Sequence, residues 1–242
     1  MKITFEIYYH TRWGESLFLS GDIDELGANE DNRAVMMDYQ GDGLWKYTME
    51  LPASAKKFHY EYLVKSGEGI RREWGSPHSF SPGRNAGEYR LVDRWRDVPA
   101  DLPFYSSAFI QGIFFRQHAD SVVETIDPGT LTVKVDASQL RPDERLVMVG
   151  DCPELGDWDV LKAPLLNDSA FPEWQITLDG RQLKFPFEYK FVIVRTHQRE
   201  VVAWETGENR ICREKPQNPS EAVVVSGLRF NGSESQWRGA GT

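Results

Sequence analysis

The sequence predicts an all-β protein built as two similar modules in tandem, each an antiparallel β-sandwich or open barrel. Three observations carry this reading. Apolar residues alternate with period two in many short runs, turn signals separate the runs, and the second half of the chain echoes the first. No long stretch has the three-and-four spacing of an amphipathic helix.

The runs come in order. ITFEIYY (3–9) opens the chain, followed by SLFLSG (16–21), LWKYTMEL (44–51) and KFHYEYLV (57–64). GDG (41–43), SGEG (66–69) and DPG (127–129) supply the turns between strands. The pattern resumes with TLTVKV (130–135), RLVMVG (145–150), WQITL (174–178), FPFEYKFVIV (185–194) and AVVVSGL (222–228).

Laid over each other, the halves keep four landmarks in order. LFLSGDIDELG (17–27) returns as LVMVGDCPELG (146–156), an offset of 129, and Trp45 falls on Trp174 at the same offset. FHYEYLV (58–64) returns as FPFEYKF (185–191) at 127, and Trp74 matches Trp204 at 130. This places a first module at 1–97 and a second at 128–230. Between them, 98–127 reads as a linker whose Phe109, Ile110, Ile113, Phe114 and Phe115 pack between the modules or begin the second. The Gly- and Ser-rich tail, 231–242, reads as a second linker.

Composition narrows the function. A net charge of -9 over 242 residues argues against nucleic acid as a partner, because phosphate recognition rests on clustered Lys and Arg. No run approaches the roughly 18 apolar residues of a membrane span, and the N-terminus alternates instead of presenting an apolar signal core, so a soluble, cytoplasmic chain is expected. Two cysteines, Cys152 and Cys212, are too few for a disulfide framework; they read as free thiols, and whether they pair depends on whether the fold brings them together. His59 sits on a strand and His78 in a loop, neither with a second ligand at metal spacing, so no metal or other cofactor is expected. The 8 Trp, 9 Tyr and 13 Phe are more notable; Trp45 and Trp174, inside alternating runs, are expected in the core.

In the second module VGDCPELGDW (149–158), FEYKF (187–191) and WETGENR (204–210) follow one another, and together they resemble the starch-binding domain, carbohydrate-binding module family 20. The resemblance implies an immunoglobulin-like fold that binds α-1,4-linked glucans at up to two places. For the compact place it implies Trp158 and Trp204 as stacking platforms, Lys190 as a donor to sugar hydroxyls, and Glu205 and Asn209 as flanking hydrogen-bond partners. The first module offers Asn29, Leu63 and Ser79 where Trp158, Lys190 and Asn209 stand; only Trp74 survives, as a weaker candidate. The extended place shows the reverse: Trp13, Asp38 and Tyr39 stand where the family carries its second set, while Pro142 lies opposite Trp13. One site per module is therefore expected.

A pyranose face presents C–H groups and its edge presents hydroxyls, so flat aromatic rings flanked by amide and charged groups suit it. No catalytic residue is expected, because binding modules and linkers fill the chain and a (β/α)8 barrel alone needs about 250 residues. WRGAGT (237–242) resembles the opening of the catalytic domain of 4-alpha-glucanotransferases, glycoside hydrolase family 77. The expected protein is thus the glucan-binding N-terminal part of such an enzyme. The alternative is a pair of scaffold modules that support a homo-oligomer of that enzyme and hardly bind sugar.

Overall fold

The computed structural model describes residues 1–83, 87–97 and 126–232, and the chain divides into two units, Met1–Asp127 and Pro128–Thr242. The expected linker residues Phe109 to Phe115 and the WRGAGT segment lie outside the described residues.

In the first unit, β1 (Lys2–Tyr8), β4 (Asp38–Gly41), β5 (Leu44–Glu50) and β9 (Glu88–Arg94) form one sheet in the order β9-β1-β5-β4. The other sheet joins β2 (Ser16–Gly21), β3 (Val35–Met36), β6 (Phe58–Ser66), β7 (Gly69–Arg72) and β8 (His78–Phe80), with β6 paired to β2, β7 and β8.

The second unit repeats this plan. Its β10 (Thr130–Asp136), β12 (Asn167–Ala170), β13 (Glu173–Asp179) and β17 (Glu221–Arg229) form one sheet, and β11 (Glu144–Gly150), β14 (Phe187–Arg195), β15 (Val201–Trp204) and β16 (Arg210–Cys212) the other. Within each unit the named strands pair antiparallel except the first and last, where β1 runs parallel to β9 and β10 to β17. The whole module intervenes between those strands, so the connection is long enough for a parallel return.

Alternation does what the pattern predicts. Ile3, Phe5 and Ile7 of β1 are buried, as are Phe187, Tyr189, Phe191 and Ile193 of β14. Trp45 and Trp174 lie in the core, and each indole N–H donates to a backbone carbonyl at the equivalent place, Tyr9 at 3.0 Å and Ala137 at 3.1 Å. Both cysteines are buried free thiols. His78 departs from expectation: it is a buried residue of β8, 3.0 Å from the Glu73 carboxylate, rather than a loop residue.

Candidate functional site

The site grows from the outer face of the β11-β14-β15 sheet. Directly opposed residues of antiparallel strands point to one side of a sheet. Val149 pairs with Lys190, Val147 with Val192, and Val192 with Trp204, so these side chains share a face opposite the core. Val147, Val149, Val192 and Val194 form an apolar cluster there with Ala163, and Trp158 and Val160 pack against it.

The GDCPELG segment explains how Trp158 reaches that face. A Cβ at Gly150 would lie 2.5 Å from the Glu188 carbonyl oxygen, so only glycine lets the chain leave β11 this closely. Asp151 Oδ1 accepts the Glu188 N–H at 3.0 Å, and a short 3-10 turn over Pro153–Leu155 closes on Gly156 at φ 81°. Trp158 itself has φ 64°, and its N–H donates to the Gly150 carbonyl at 2.7 Å. The loop beyond is tied down by Arg199, which donates to the carbonyls of Leu161 and Ala163, both at 2.8 Å.

Trp158 is half-buried on the valine shelf, and Trp204, 41% exposed, stands on the same face. Lys190 lies beside them, its Nζ donating to the carbonyls of Glu205 at 3.1 Å and Gly207 at 2.6 Å, which holds the ammonium at the platform edge. Asn209 is exposed and donates to Glu188 Oε2 at 2.8 Å. Glu188, bonded to Asn209, and Leu161, exposed on the loop beyond Trp158, are residues that the sequence reading does not single out. Only the alternation of β14, which puts Glu188 on the Lys190 side, could have signalled the former.

Glu205 is a correction. It is expected among the sugar-facing groups, yet it is 3% exposed and ion-paired with the equally buried Arg210. Its oxygens also accept the N–H groups of Phe191 and Asn231, both at 3.3 Å, so no acceptor is left for a sugar hydroxyl. Its role is to fasten the end of β15 to β14.

The register of the first unit corrects the internal alignment. Arg72 pairs with Leu63 as Trp204 pairs with Val192, and Ser20 pairs with Glu61 as Val149 pairs with Lys190. Arg72 therefore stands in the place of Trp204, and Glu61 in that of Lys190. Trp74 lies two residues beyond the Trp204 position and donates its N–H to the Arg96 carbonyl at 2.8 Å. Pro77 replaces Ser79 opposite Asn209, because Tyr60 pairs with His78 as Tyr189 pairs with Arg210. Asn29 does match Trp158: same φ of 64°, same 2.7 Å bond, here to the Gly21 carbonyl. Arg72 forms ion pairs with Glu61 and Asp31, so a charged network covers the face that is an aromatic shelf in the second unit.

The second predicted set lies in the first unit. Trp13 is fully exposed, and Asp38 and Tyr39 are exposed on β4. Tyr39 lies 5.1 Å from Trp45 by ring centroids, and its hydroxyl accepts the Gly43 N–H at 3.2 Å. Around Trp13, Glu15 caps the N–H of Arg12 at 2.8 Å; Glu144 caps Arg141 identically, which fixes Pro142 opposite Trp13.

Both halves match one family model, the starch binding domain, over residues 1–85 and 130–223. The chain belongs to the starch-binding domain family. Its starch-binding modules are 28% identical over 267 residues to the 4-alpha-glucanotransferase DPE2 of Oryza sativa subsp. japonica, covering 100% of this chain and 27% of that protein. They are 34% identical over 73 residues to the AA13 family lytic polysaccharide monooxygenase A of Aspergillus terreus, covering 28% of this chain and 18% of that protein. Among solved structures, the family 20 carbohydrate-binding module of the maltotetraose-forming amylase of Pseudomonas saccharophila STB07 matches 40% of this chain and 99% of its own, at 19% identity and a TM-score of 0.33. The chain thus spans about a quarter of the length of the glucanotransferase it matches.

Proposed function

We propose that the second unit binds α-1,4-linked glucans on Trp158 and Trp204, with Lys190 and Asn209 meeting the hydroxyl edge, and that the first unit binds them at Trp13 with Asp38 and Tyr39. The observation that carries the reading is the pair of indoles on one sheet face, one seated on a valine shelf and both open to solvent. Their rings bury the C–H face of a glucose residue, and each contact contributes on the order of 1 to 2 kcal/mol at roughly 25 cal/mol per Å2. After ordering costs, one site binds at around 10 µM to 1 mM. Two sites on one chain hold a long glucan more tightly than either alone.

The parent polypeptide is proposed to be a 4-alpha-glucanotransferase in which these non-catalytic modules hold substrate for glucan transfer. The likeness to the rice enzyme over the full chain supports this. Two buried free thiols suit the reducing conditions of the cytoplasm. Isothermal titration with maltoheptaose is the test. Heat that vanishes in the Trp13→Ala, Trp204→Ala double variant supports the reading; no heat from the native chain would leave the modules as scaffold.

A further inference from the structure

The two units differ at one corner beside Trp13. In the second unit the turn between β14 and β15 is fastened to the loop before β11: the N–H and hydroxyl of Thr196 both donate to the Asp143 carbonyl, at 2.9 and 2.7 Å. The register places Gly67 at the position of Thr196 and Gly14 at that of Asp143. Neither glycine has an atom within 4 Å of where a Cβ would stand, nor does Gly69. The corner that is shut in the second unit is open in the first.

The opening is a cavity of about 650 Å3 lined by His10, Arg12, Glu15, Glu68, Ile70 and Arg71 among others, within the range of about 300 to 1,000 Å3 typical of small-molecule sites. Tyr9 and Arg71 of the lining pack against Trp95: the rings of Tyr9 and Trp95 lie 4.6 Å apart and the Arg71 guanidinium sits 5.5 Å from each. Arg71 also donates to the Tyr9 hydroxyl at 2.5 Å and meets Glu15 at 3.5 Å. The Arg12 guanidinium, the His10 ring and the Glu68 carboxylate make no side-chain hydrogen bond among the described residues.

Residues that line the cavity adjoin those of the proposed extended site. Arg12 and Glu15 flank Trp13 in sequence, and His10 rests against Gly43, whose N–H the Tyr39 hydroxyl accepts. Its charges cancel, two arginines against two glutamates, and Ile70 is 48% exposed within it. Such a lining suits a neutral polyhydroxyl chain better than an anion: donors and acceptors for hydroxyls, with an apolar patch for a C–H face.

We propose that this corner is a further saccharide subsite, so that the first unit holds a longer stretch of α-glucan than Trp13, Asp38 and Tyr39 can. The inference rests on the extended-site reading given above. It makes the first unit selective for chain length: short oligosaccharides sit on Trp13, Asp38 and Tyr39, and longer ones run on into the cavity, where Arg12, His10 and Glu68 meet their hydroxyls.

The test uses the full chain carrying Trp204→Ala, so that the first unit is read alone. His10→Ala with Glu68→Ala, both exposed positions, should weaken maltoheptaose binding about fivefold to tenfold while leaving maltotriose unchanged. The Ile70 methyl signals should shift on adding maltoheptaose and stay put with maltotriose. Unchanged affinity for both sugars, or an unmoved Ile70 with maltoheptaose, overturns the subsite and leaves the extended site standing. If Trp13→Ala does not weaken binding, the extended-site reading is the one that fails; an Ile70 signal that still shifts then supports the cavity as an independent site.

Discussion

Trp204 and Arg72 occupy the same place in their two units, each at the same sheet edge opposite the equivalent residue of the central strand, Val192 and Leu63. One is an indole open to solvent; the other is a guanidinium tied to Glu61 and Asp31. The same fold therefore presents an apolar platform in one unit and a closed ionic surface in the other.

Trp204→Ala should abolish glucan binding by the second unit and leave the first untouched, and Trp13→Ala should do the converse. Titration of each variant with maltoheptaose should find about one of two sites lost in each case. Equal partial loss at both sites from either substitution would contradict the assignment.

Arg72→Ala should cost little. Both of its ion pairs are substantially exposed, and such pairs contribute roughly 0 to 1 kcal/mol. Thermal unfolding should detect a small change at most, and maltoheptaose binding none.

Glu205→Ala should instead destabilise the second unit by about 3 to 5 kcal/mol, because it leaves Arg210 as an uncompensated buried charge. Denaturant unfolding followed at the second unit would measure this. A variant that kept full stability but lost sugar binding would return Glu205 to the surface role the sequence suggests.

Acid should weaken the first unit through Glu73. Burial alone would raise its carboxyl, but His78 and Arg96 beside it outweigh that and hold it below the usual carboxylate range. A depressed carboxyl stabilises the fold above the unfolded value of about 4.3 and loses that contribution as pH falls through the folded one. The stability of the native first unit should therefore fall below about pH 4, and Glu73→Gln should flatten that slope.

Burial pushes the Cys152 thiol up to about 11. Native protein at pH 8 should react with a thiol reagent far more slowly than protein unfolded in guanidinium, since the thiolate is the reactive form.

The strands, the duplication and the position of Trp158 after the Gly150 loop are legible in sequence because they depend on local pattern. Sequence alone pairs Lys190 with Leu63 because an alternating strand looks the same after a shift of two, and only the register identifies Glu61 as the counterpart. Trp74 matches Trp204 in residue type and not in register. The path from Val192 to Trp204 takes twelve residues and that from Leu63 to Arg72 nine, so no single offset aligns both hairpins. Glu205 was hidden by its polar company. Its signal was an arginine five residues on, as His78 follows Glu73, a spacing that brings the two side chains together across the end of the edge strand.

The loop between Gly150 and Trp158 has an exact counterpart between Gly21 and Asn29, down to the crowded glycine and the left-handed last residue. It behaves as a socket: the backbone sets the position and direction of the final side chain, whatever that side chain is. Changing what a module grasps then requires a new occupant and no new architecture, which is how one duplicated scaffold can carry two different surfaces.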